Sequence, residues 1–87
     1  MPSYAHCHAA VLRIMSVDDL KAQGNAAVAA HQYAKAIDCY TKAIALDPNN
    51  HVLFSNRSMA YASARDYAHA LEDAEQTVEL QPTWPKA

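Results

Sequence analysis

The stretch KAIALDPNNHVLFSNRS, Lys42 to Ser58, closes one amphipathic helix, turns, and opens another. Ala43, Ile44 and Leu46 carry the apolar spacing of a helix's last turns. Pro48 lacks the N–H a helix needs and clashes with the preceding turn, so the helix stops before it. Asn49 and Asn50 favour a turn, and His51 restarts helical sequence. Nearly the same phrase returns as VELQPTW, Val78 to Trp84, which places Pro82 34 residues after Pro48. A period of that length marks a tandem helical repeat.

Working outward, the 87 residues bound one small domain, and 52% apolar content with a single glycine favours close-packed helices over sheet. The net charge of -2 argues against an electrostatic nucleic-acid binder. Two cysteines, Cys7 and Cys39, are too few and too far apart for a disulfide framework or a zinc pattern, which fits a reducing compartment. No apolar run is long enough to span a bilayer. Ala9 to Leu12 is a short apolar patch without a basic region before it, unlike a signal peptide. The expected setting is cytoplasmic or nuclear, away from membranes.

Residues 1–15 differ from all that follows and read as an N-terminal extension, with Met15 a natural start. His6, Cys7 and His8 are metal-ligand types, but no second cluster completes a coordination shell. No metal or cofactor is therefore expected. Ser16 and Asp19 form a capping pattern, and Asp18 and Asp19 put negative charge at a helix's positive end. The spacing predicts helices over Val17 to about Ala30, Tyr33–Leu46, Val52 to about Ala64, and Tyr67–Leu80. Thr83 caps a third start with Pro85 in its first turn. The repeat domain accordingly covers 16–87: repeat one 17–50, repeat two 51–84, and the stub of a third at 85–87.

A shift of 34 residues lays Leu20 on Phe54, Gly24 on Ser58, Tyr33 on Tyr67, Ala36 on Ala70, Ala43 on Thr77 and Pro48 on Pro82. Large meets large and small meets small, except Ala27 against Tyr61. Small residues at Gly24 and Ser58 let the first helix of each pair approach the small Ala36 or Ala70 of the second. This pattern resembles the tetratricopeptide repeat through residues 17–82. The resemblance implies an all-α, right-handed solenoid of helix-turn-helix repeats, whose first helices line a concave face. On that face it places Lys21, Asn25, Val28 and Ala29, then Ser55, Asn56, Met59, Ala62 and Ser63, with Lys86 opening the next rung.

Asn25 follows Gly24 inside a helix, although both are poor helix formers. Gly24 has a packing reason, and the sequence offers none for Asn25. An amide can donate to a carboxylate without carrying charge, while Lys21 four residues earlier supplies attraction on the same side. That pairing suits capture of a peptide's C-terminal carboxylate.

A narrower resemblance agrees. KAQGN at Lys21–Asn25, NHVLFSNRS at Asn50–Ser58 and WPK at Trp84–Lys86 look like the first repeat domain of the co-chaperones that organise the Hsp70 and Hsp90 chaperones. That family holds the chaperones' terminal Glu-Glu-Val-Asp with a two-carboxylate clamp. By position the clamp would be Lys21, Asn25, Asn56 and Lys86, with the family's arginine four residues beyond Lys86. Met59 stands where a small residue is frequent, and Ser63 where a lysine can sit; both would line the peptide groove.

Plainer readings stand beside these. Lys21 alone is a solvated lysine, and Asn56 could be a structural amide. Tyr33, Tyr40, Tyr61 and Tyr67 read as packing residues, and Glu72, Asp73 and Glu75 as a solvated acidic surface. No nucleophile, base and acid share a suggestive spacing, and no Gly-rich phosphate loop occurs, so the chain is expected to be non-catalytic. The leading expectation is a co-chaperone adaptor. The alternatives are the targeting module of a larger enzyme, such as a phosphatase or prolyl isomerase, and a general scaffold for internal peptide segments. Two repeats and a stub also predict a fragment whose flank around Tyr67, Leu71, Ala74 and Val78 is uncovered and prone to self-association.

Overall fold

The computed structural model describes residues 16–80, which form four helices: α1 (Val17–Ala29), α2 (Tyr33–Leu46), α3 (His51–Ser63) and α4 (Tyr67–Leu80). There is no strand among the described residues. The 1–15 extension with His6, Cys7 and His8, the cap at Thr83, Pro85, Lys86 and the third-repeat stub all lie outside them.

The first helix of each pair begins where the sequence supplies an acceptor for its unpaired N–H groups. Ser16 and Asp19 make a reciprocal capping box, each side chain accepting from the other's backbone N–H. Asn50, at the equivalent place in the second pair, accepts from the Val52 N–H at 3.0 Å. This is why α3 starts at His51, one residue ahead of the expectation. The two turns inside the pairs also match. His31 and Arg65 are left-handed, at φ 61° and 67°. Their N–H groups donate to Val28 and Ala62, and the next N–H groups, of Gln32 and Asp66, donate to Ala27 and Tyr61. This double bond pattern reverses the chain without glycine.

Each helix packs against the next, and the apolar core belongs mainly to α1, α2 and α3. One cluster joins Ala27, Ala36, Tyr40 and Ala60; the other joins Leu20, Ala43 and Leu53. Tyr40 and Leu53 are the largest fully enclosed side chains. Burial of a Leu-sized side chain contributes about 1.5–3 kcal/mol. Gly24 lies against the Tyr40 ring: a Cβ at Gly24 would stand 2.5 Å from Tyr40 Cε1. The glycine thus makes room for an aromatic face, beyond the approach to Ala36 that the sequence suggested.

The inward positions of α4 are Ala70, Asp73 and Thr77. Asp73 corrects the expectation of a solvated acidic surface, because it is only 5% exposed. Arg57 on α3 donates to both its oxygens, Nε to Oδ2 at 2.7 Å and Nη2 to Oδ1 at 2.8 Å. The bond to Asp73 holds the guanidinium above its ordinary pKa despite partial burial. Arg57 also donates to Thr41 on α2 at 3.2 Å, tying the two pairs together. Tyr61 stacks on His69, and Tyr67, Leu71, Ala74 and Val78 are exposed. Tyr67 is therefore no packing residue within the described part of the chain.

Candidate functional site

The first helices of the two pairs, α1 and α3, lie side by side with a pocket between them. Asn25 and Val28 of α1, Asn56 and Met59 of α3, and Tyr40 of α2 line it. Its volume is about 100 Å³, well below the roughly 300–1,000 Å³ typical of small-molecule sites. A pocket of that size has room for a single side chain or the end of a chain, and for little more.

Three of the candidate residues, Asn25, Asn56 and Met59, meet in this pocket. Lys21 and Ser63 do not line it. Lys21 is half-buried one turn before Asn25, on the same side of α1, and Ser63 is exposed one turn beyond Met59 on α3. Lys86 lies outside the described residues. Lys21 has no ion-pair partner, and Asn56 no hydrogen-bond partner, among the described residues. The site therefore offers ammonium and amide donors with no carboxylate in its lining.

Asn25 is not the unexplained residue that its sequence position suggests. The Tyr40 hydroxyl donates to its Oδ1 at 2.5 Å. Burial raises the Tyr40 phenol above its ordinary pKa, with a smaller push from Cys39, so it remains a neutral donor at neutral pH. The sequence pattern places Tyr40 in the core and does not announce this second role. One signal was available: the 34-residue shift puts Ala74 opposite Tyr40 and Met59 opposite Asn25, so both partners are peculiar to the first pair.

No group of three His, Cys, Asp or Glu side chains among the described residues could hold a metal ion. No helix among them is long and apolar enough to cross a membrane.

Residues 17–50 match the family model described as the tetratricopeptide repeat. The chain is 55% identical over 69 residues to the heat shock protein sti1 homolog of Schizosaccharomyces pombe, a match covering 79% of this chain and 12% of that protein. It is 54% identical over 69 residues to Hsp70-Hsp90 organizing protein 2 of Arabidopsis thaliana, with the same two coverages. The chain thus spans about an eighth of the length of these relatives. Among solved structures, the Sgt2 repeat domain of Aspergillus fumigatus superposes with a TM-score of 0.75 at 40% identity, covering 80% of this chain and 49% of that one. These relatives are named as a heat shock protein and as an organizing protein for Hsp70 and Hsp90. Helix order, repeat period and these likenesses agree: the chain belongs to the tetratricopeptide repeat family.

Proposed function

We propose that this chain is the repeat module of a co-chaperone adaptor, one that holds the acidic Glu-Glu-Val-Asp type tail of Hsp70 or Hsp90 through a carboxylate clamp. The relatives named as Hsp70-Hsp90 organizing proteins support the adaptor role. The observation that carries the clamp reading is the meeting of Asn25 and Asn56, from successive helix pairs, in one pocket without an acidic side chain in its lining. Two amide groups there can donate to a terminal carboxylate, and Lys21 adds a charge-assisted bond from one turn away. Lys86 enters by resemblance alone, as the donor from the next rung. Met59, 63% exposed, would give the peptide an apolar contact, with Ser63 a polar one beyond it. A cytoplasmic location goes with this role.

Isothermal titration with a free-acid chaperone-tail peptide and its C-terminally amidated twin tests the reading. The free acid should bind at least about tenfold more tightly, the weight of one to two charge-assisted hydrogen bonds. Lys21→Ala and Asn25→Ala should each weaken the free acid while leaving the amidated peptide nearly unchanged. Equal binding of the twins would refute the clamp. Unchanged binding in both variants would favour a scaffold for internal segments.

A further inference from the structure

We infer that Tyr40 is a positioning residue for anion recognition: its hydroxyl occupies the carbonyl side of the Asn25 amide and so turns the amino side toward the pocket. This rests on the clamp reading and adds to it a device for choosing the ligand's charge.

An asparagine side chain has two ends of similar shape and opposite character, one a pair of N–H donors and the other an acceptor. An amide free to turn over would present its oxygen to an incoming carboxylate for part of the time, and two acceptors repel. The Tyr40 hydroxyl removes that freedom. It has a single proton to give, it gives it to Asn25 Oδ1, and a phenol cannot serve the amino end equally well while remaining the donor. The ring behind it is enclosed: Tyr40 is 1% exposed, and its Cδ1, Cε1 and Cζ atoms lie against Gly24. A core residue thus transmits its rigidity to a groove residue through one bond. With Oδ1 taken by Tyr40, the amino end is what Asn25 has left to offer the pocket that it lines together with Asn56.

The pairing is built once in the chain. In the second pair the equivalent positions hold Met59 and Ala74, neither of which can take part in such a bond. The orientation device therefore sits in the helix pair that also carries Lys21.

Tyr40→Phe keeps the ring and removes only the hydroxyl. Affinity for the free-acid peptide should fall about threefold to tenfold, the worth of one net hydrogen bond. The preference for free acid over amidated twin should narrow by the same factor. On an Asn25→Ala background the substitution should cost nothing further. In the peptide-free protein, the Asn25 side-chain amide should show a rigid, well-shifted NMR pair that becomes mobile in Tyr40→Phe. If wild type prefers the free acid and Tyr40→Phe leaves that preference within twofold, the inference fails and the clamp survives. An equal loss in the Asn25→Ala background would show a merely structural role and also overturn it. If wild type binds both twins alike, the clamp and the inference fall together. The NMR pair then reports whether the amide was held at all. Should Tyr40→Phe melt early, the NMR comparison is made below its midpoint, where an Asn25 amide pair equally rigid in both proteins overturns the inference.

Discussion

The two helix pairs share a backbone and differ in what joins their helices. In the first pair Tyr40 comes from the second helix and lies against Gly24, with the small Ala27 nearby and a buried Cys39 behind. In the second pair the aromatic comes from the first helix, as Tyr61, and Ala74 stands at the place of Tyr40. Ser58 replaces Gly24, and its hydroxyl donates to the Ala70 carbonyl at 2.7 Å. Asp73 takes the place of Cys39, Arg57 that of Gln23, and the two form the ion pair. One fold thus tolerates an apolar seam and a polar one, provided volume is kept. The apolar seam is the one that sends a hydroxyl into the groove.

The largest test of this contrast removes each aromatic. Tyr40→Ala should destabilise by about 3–5 kcal/mol, as expected for emptying an enclosed aromatic site. Tyr61→Ala should cost about 1–2 kcal/mol, because Tyr61 is half-buried and loses chiefly its stacking on His69. Urea denaturation with a common slope measures both. Equal losses would mean that the seams are energetically alike.

Next comes the ion pair. Asp73→Ala strands a guanidinium whose side chain is 18% exposed, and about 2–3 kcal/mol should go. Giving the second pair the first pair's residues, Arg57→Gln with Asp73→Cys, should bring stability back to within about 1 kcal/mol of wild type, since a buried pair mostly offsets its own desolvation. If the double variant is as unstable as Asp73→Ala, the bond from Arg57 to Thr41 matters more than the pair itself.

These two seams mark where sequence reading succeeds and where it stops. The proline spacing and apolar periodicity give α2 its observed limits, and the turn signal before Tyr67 gives α4 its start. The joint position of Asn25 and Asn56 was legible for a similar reason: each sits on the first helix of its pair. The polar contacts were not. Tyr40 satisfies the core pattern completely, so nothing in the pattern asks where its hydroxyl goes. Asp73, flanked by Glu72 and Glu75, reads as part of a solvated run. Only its alignment with Cys39, and that of Arg57 with Gln23, shows a charge at an inward position with a cation opposite it.

Gly24→Ala probes the close approach itself. Alanine gains about 1 kcal/mol of helix propensity, but its Cβ would overlap the Tyr40 ring at 2.5–2.9 Å. An enclosed ring cannot swing away, and overpacking costs about 1–3 kcal/mol. A net loss of about 1–2 kcal/mol is expected, turning into a gain in a Tyr40→Ala background. At Ser58, where no tyrosine stands opposite, alanine should cost under about 1 kcal/mol. Thermal melts of the four variants decide whether the glycine answers to Tyr40 or to the turn of the helix alone.

The smallest difference lies at the second-helix starts. Gln32 begins α2 with no side-chain bond to the helix. At the same place before α4, the Asp66 carboxylate accepts from the His69 N–H at 3.4 Å and from the His69 ring at 2.7 Å. The surrounding backbone is alike, since Gln32 and Asp66 both follow a left-handed residue and both accept a backbone N–H four residues on. Gln32→Asp should therefore stabilise by about 0.5–1 kcal/mol, through the cap and its charge at the positive helix end. Lys35, in the position of His69, would add attraction. The salt dependence separates the contributions: the charge part should fade in 1 M NaCl, where screening acts within about 3 Å, and the hydrogen bond should stay. A neutral or destabilising result would mean that the two turns differ in backbone more than their matching bonds indicate, and that the pairs are less interchangeable than the polar and apolar seams suggest.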